Sequence, residues 1–160
     1  MRSIASLNRP SGRVAGVFAV LLALCFGAQA ELGGTETSVQ ADQQRLNGTR
    51  NVSQMPAYAV HEIHTQNNSV IREFVGSDGK VFAVAYRGET LGDGNALLGS
   101  YRNQVAQALM ASRGGKHRGG PVSLQLPGLM YEATGHMRAY VIHAYVPASI
   151  PQGVRVEELR

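Results

Sequence analysis

The sequence predicts an α+β domain: an antiparallel sheet built as three strands, a helix and three strands, packed on one amphipathic helix, with a short N-terminal helix ahead of it. Three observations lead there. From Tyr58 onward, apolar residues recur in short runs separated by turn formers. Midway, Leu97, Leu98, Tyr101, Val105, Ala108 and Leu109 fall on one helical stripe, while Arg102, Asn103 and Gln107 face away. Glycine and proline pairs mark the remaining boundaries.

The first 30 residues read as a secretory leader. Arg2, Arg9 and Arg13 form a positive start, and Val14 to Ala28 is an unbroken run of apolar and small residues. Ala28-Gln29-Ala30 supplies the small residues that signal peptidase needs, so cleavage is expected between Ala30 and Glu31. The apolar run falls short of the ~20 residues that span a bilayer, so no stable membrane span is expected after processing. A lipid anchor on Cys25 is rejected, because Leu24 stands where a small residue belongs.

Processing changes the charge argument. Without its three arginines the leader takes Lys plus Arg from 15 to 12, against 11 acidic residues. The sequence therefore carries no nucleic-acid signature, despite its basic total. Cys25 is the single cysteine and leaves with the leader, which excludes disulfides, thiolate nucleophiles and cysteine-ligated metals.

Residues 31–56 are polar. Ser38 to Leu46 reads as a short helix capped by Ser38, Gly48 ends it, and the stretch to Pro56 reads as a linker. Asn47, Asn51 and Asn67 open glycosylation sequons, which matter only in a host that uses them. Residues 57–160 form the single domain. Its strands are expected at Tyr58–Thr65, Val70–Val75 and Val81–Arg87, with Gly79 taking positive φ in the Ser77–Lys80 turn. Val81 to Tyr86 is apolar without alternation, as a strand covered on both faces would be, and marks the sheet centre. Gly92-Asp93-Gly94-Asn95 breaks the pattern. A helix capped by Asp93 or Asn95 then runs to about Ala111 and stops at Gly114 and Gly115. Val122–Leu126, Leu129–Thr134 and Arg138–Val146 are the later strands, and Val154–Leu159 reads as a short edge strand.

Motifs for chemistry are scarce. The five histidines invite a metal, but His61 and His64 point to opposite faces of a strand and His136 and His143 also diverge, so no metal and no cofactor are expected. Glu62, Arg72, Glu73 and Arg87 read as a solvated row of cross-strand ion pairs. No nucleophile elbow, phosphate-binding loop or dinucleotide fingerprint is present. Arg113, Lys116 and Arg118 sit among four glycines, which suits a solvated connector or a contact with an anionic envelope polymer. Arg72, Arg87, His136 and Arg138 remain as candidate binding residues, expected to meet near the Asp93 loop.

Three stretches carry a resemblance. VIREFVGSDGKVFAVAYRG (70–88), LLGSY (97–101) and GHMRAYVIHAYVP (135–147), with ELGG at 31–34, resemble bacterial exported proteins grouped as domain of unknown function 2844 (DUF2844). The resemblance covers nearly all of the chain after the leader. Tyr86 stands where that family often has Trp, Glu89 where it often has Pro, and Gly92-Asp93-Gly94 departs from its usual lead into the helix. The resemblance implies an exported protein with no established activity and no assigned site residues. Two readings follow: a periplasmic or secreted, non-catalytic binding or accessory module with an anionic polymer or protein partner, or a small envelope hydrolase acting on glycan or peptide. A purely structural role comes third.

Overall fold

The structure, a computed structural model, describes residues 32–112 and 120–160. One seven-stranded antiparallel sheet organises it, in the order β1-β2-β3-β4-β7-β6-β5. The strands are β1 (Thr49–Gln54), β2 (Tyr58–His64), β3 (Val70–Gly76), β4 (Val81–Gly88), β5 (Val122–Leu126), β6 (Leu129–His136) and β7 (Ala139–Tyr145). As the apolar run Val81–Tyr86 requires, β4 is central and buried on both faces.

One face carries Ile63, Ile71, Val75, Val84, Tyr86, Tyr131, Ile142 and Ala144. The helices α1 (Glu36–Arg45), α2 (Leu91–Ala96) and α3 (Arg102–Ser112) pack there. The opposite face holds Phe74, Phe82, Ala83 and Ala85 under the returning C-terminal segment, whose Leu159 is 3% exposed. A register shift opposite Phe74/Val75 lets Phe82 and Ala83 share this second face. Tyr58, Phe74 and Phe82 pack there with ring centroids 5.9–6.3 Å apart.

Several expectations need correction. The sheet is four strands, helices and three strands, because part of the predicted linker is β1. Five of its six residues are exposed, so it carries no period-two apolar signal, and its pairing with β2 is a backbone matter. Residues 49–54 of the expected linker pair with β2 as an edge strand of the sheet. Thr35, not Ser38, is the N-cap of α1, and the Ser38 hydroxyl bonds back to the Thr35 carbonyl.

The long helix is also broken. Gly99 takes φ +55 and, with a 3-10 turn at Gly99–Tyr101, separates α2 from α3. The residues 92–95, expected as a break, are helical instead, with the Thr90 hydroxyl accepting the Asp93 N–H at 3.2 Å. Gly94 has a packing reason to stand there: a Cβ would lie 2.6 Å from both Ile142 Cδ1 and Tyr86 Cδ1. Val156–Glu158 is a 3-10 turn, not an edge strand, since this segment crosses the sheet face instead of running along β1 or β5. Finally, β6 continues through His136, with Arg138 at φ +65 in the tight turn that follows.

Candidate functional site

Strand alternation and register together build a cleft on the face opposite the helices. One cross-strand row runs Glu62–Arg72–Ala85–His143–Glu132, each residue directly opposite the next. The next row runs Val70–Arg87–Val141. Side chains in such rows are neighbours on one face. Ala85 is the small member of the first row, so a hollow opens at the sheet centre. The cavity measures about 420 Å³ and is lined by Arg72, Ala85, Arg87, His143 and Arg160 among others.

The charges around it are unequally compensated. Arg72 Nε donates to Glu62 Oε2 at 2.6 Å, and its Nη1 donates to the Arg160 carbonyl at 2.9 Å. Glu62 also meets His64 Nε2 at 2.6 Å. The Arg72 and His64 hydrogen bonds hold the Glu62 carboxyl below its ordinary value. Arg160 lies 3.7 Å from Glu132. Arg87 is exposed and has no acidic partner within ion-pair distance among the described residues. Burial, then the positive charge of Arg160, push the His143 imidazole below its ordinary value, with Glu132 opposing and Arg87 adding to the fall. The imidazole is thus neutral at pH 7, able to donate from one nitrogen and accept at the other.

Chemically, this arrangement puts an exposed guanidinium without an acidic partner among the described residues beside the hollow. Guanidinium groups pair with carboxylate or phosphate in a fork geometry that a lysine cannot supply. Glu62, at the end of the row, is held ionised and already paired. Among the described residues, no three His, Cys, Asp or Glu side chains converge to hold a metal.

Of the candidate residues, Arg72 and Arg87 share the cleft, one row apart. His136 and Arg138 do not line it. They stand exposed at the β6–β7 turn, beyond the Gly88–Tyr140 pair where β4 stops. Asp93 lies apart as well, on the helical side of the sheet. Arg113, Lys116 and Arg118 lie outside the described residues.

Two features escaped sequence reasoning. Arg160 reaches the cleft only because the C-terminal segment folds back, and no local signal announces that. His143 could have been placed by counting register from a β4–β7 pairing, but that pairing links strands more than 50 residues apart.

Glu73 is a correction. It does not join a solvated row: it is fully buried on the helical face, and neither carboxyl oxygen has a hydrogen-bond partner. Burial, reinforced by the Asp42 charge, pushes its carboxyl up to about 8, with Arg45 and Arg50 opposing. His61, its neighbour on β2, is buried too, and burial lowers its imidazole. Its Nε2 turns toward Glu36 at 3.8 Å, and no hydrogen bond joins it to Glu73.

Among the described residues, no helix is long and apolar enough to cross a membrane. Comparison with curated proteins and with solved structures finds no match for this chain. A family described as protein of unknown function (DUF2844) matches residues 28–159, which include the whole sheet and every helix among the described residues, and the chain belongs to that family.

Proposed function

We propose that this chain acts outside the cytoplasm, after removal of residues 1–30, as a non-catalytic binding module of the cell envelope that takes an anionic group into the cleft between β3, β4 and β7. One observation carries the reading: Arg87, without an acidic partner among the described residues, stands beside Arg72 over the hollow left by Ala85. The leader residues Arg2, Arg9 and Arg13, the apolar run and Ala28-Gln29-Ala30 support export. The placement of the carboxyls supports a binding role over hydrolysis. Glu62 is paired, and Glu73, which is held protonated at neutral pH, is sealed from solvent. A carboxylated or phosphorylated glycan of the envelope supplies the chemistry the cleft receives.

Titrating the protein with oligogalacturonate at low salt tests this. Binding is expected to weaken as salt rises, because exposed charges are screened within about 10 Å at 0.1 M. Arg87→Ala should weaken it by roughly 10- to 150-fold, the loss of one charge-assisted hydrogen bond of ~1.5–3 kcal/mol. Acidification should strengthen binding, since protonating His143 adds a positive charge that the anion stabilises. Equal affinity of Arg87→Ala and the parent protein would remove the cleft from consideration. Absence of any salt-sensitive binding would shift the search to a protein partner.

A further inference from the structure

After β7 and the 3-10 turn at Pro147–Ser149, the chain returns over the face that carries the anion cleft. Residues 151–160 make this return, and their backbone hydrogen bonds stay within the segment among the described residues. The Val154 N–H donates to the Pro151 carbonyl, Glu158 to Arg155, and Leu159 to Val156. Arg155 Nε likewise donates to Glu158 at 2.9 Å. No strand lends the segment a ladder, and segments with few bonds to their surroundings open first.

Among the described residues, two hydrogen-bond or ion-pair contacts leave the segment, and both end on Arg160. Its carbonyl accepts Arg72 Nη1 at 2.9 Å, and its guanidinium stands 3.7 Å from Glu132. The apolar tie is the adjacent residue. Leu159 is 3% exposed, in a cluster with Phe74, Phe82, Ala83 and Ala85, and Val154 packs beside it. Ala85 therefore serves twice, in the cluster that seats Leu159 and in the lining of the cleft.

Charge works against this closed arrangement when the cleft is empty. Arg160 brings a third guanidinium to a cleft already lined by Arg72 and Arg87, with no carboxylate among the described lining residues. Glu62 answers Arg72 at 2.6 Å, but 3.7 Å from Arg160 to Glu132 is too long for a hydrogen bond. Like charges repel at such range, and an anion placed between them attracts both.

We propose that residues 151–160 form a strap that a bound anion locks down: Arg160 completes the cleft, and Leu159 is the positioning residue that seats Arg160. This rests on the anion-cleft reading and adds its regulation. Binding favours the closed strap, and the closed strap favours binding by the same factor. Leu159 does not line the cleft, so its influence on binding passes through Arg160.

The test combines hydrogen exchange with binding measurements, using oligogalacturonate at low salt. Arg160→Ala should weaken binding by roughly 10- to 150-fold, the loss of one charge-assisted contact. If the open form binds at least ~10-fold more weakly, exchange across 151–160 should slow about fivefold or more at ten times the Kd. Exchange in α1 and β1 should not change. Leu159→Ala should weaken binding in the same direction, and Leu159→Met should restore it, since that swap keeps the volume. The double variant with Arg160→Ala should bind no more weakly than Arg160→Ala alone, because both changes remove one interaction.

Additive losses would reduce Leu159 to a structural role and overturn its assignment. Probe binding with unchanged exchange at 151–160 overturns the strap, and faster exchange would show that the anion displaces it. Arg160→Ala alters an exposed side chain, so it carries the test even where Leu159→Ala does not fold. Binding that Arg87→Ala weakens and Arg160→Ala does not would leave the anion cleft standing and remove the strap alone. No binding by the parent protein removes both.

Discussion

Glu73→Leu is expected to stabilise the protein by about 3–5 kcal/mol at pH 8, and by much less at pH 5. The buried carboxyl has no hydrogen-bond partner and keeps its proton up to about 8, whereas in the unfolded chain it loses that proton near 4.5. Between those values folding must take up a proton, so stability falls as pH rises. The contribution is fully present below about 4.5 and is lost as pH rises through about 8. Each unit of separation is worth ~1.4 kcal/mol, so the whole window amounts to about 5 kcal/mol. Leucine at this position meets Ile71, Val75 and Val84, all buried apolar neighbours, and no longer faces the Asp42 charge.

The check is denaturant unfolding of both proteins from pH 5 to pH 8.5. The difference between them isolates Glu73 from His61, whose lowered imidazole works in the other direction: its contribution is present above 6.5 and is lost as pH falls. Parallel pH profiles for the two proteins would sink the assignment. At pH 8 the expected gain corresponds to a Tm rise on the order of 10 °C for a domain of this size.

Gly135→Ala is expected to cost about 3 kcal/mol or more, chiefly by disrupting the β6–β7 hairpin. Gly135 sits at φ +123, well beyond the left-handed well near +57° that other residues occasionally occupy. Strain of that kind costs ~1–3 kcal/mol by itself. The alanine Cβ would also overlap the Ala139 carbonyl oxygen and lie 2.8 Å from Tyr140 Cα. Both obstacles are backbone, so neither can rotate aside. Hydrogen exchange should show protection lost first between 134 and 141, where β6 and β7 pair next to the turn. A melting temperature within a degree of the parent would show that the backbone relaxes there, and would refute the prediction.

How much of this was legible beforehand differs from element to element. Val81–Tyr86 announced a central strand because a strand covered on both faces cannot alternate, and it is central. Leu97, Leu98 and Val105 announced the face that meets the sheet, because burial imposes helical spacing on apolar side chains. The strand Thr49–Gln54 announced nothing: its side chains are mostly solvated, and its place in the sheet comes from β2's backbone. Gly94 read as a breaker because isolated glycine lowers helix propensity, while the structure uses it to bring α2 against Tyr86 and Ile142. Local preference lost to close packing there.

The candidate site divides the same way. Arg72 and Arg87 were legible as polar positions on neighbouring strands. Their alliance with His143 and Arg160 was not, because it depends on which strand pairs with β4 and on where the chain end returns. The sequence by itself determined the fold class, the central strand, the apolar helix face and the absence of cysteine after residue 30. Those follow from period and composition, which are local. Tertiary structure alone decided that Glu73 is buried while Arg72 beside it stays accessible, and that two cavities open on opposite sides of β4. Adjacent residues on a strand face opposite ways, so their fates depend on what the rest of the chain lays over each face: helices on one, the C-terminal segment on part of the other.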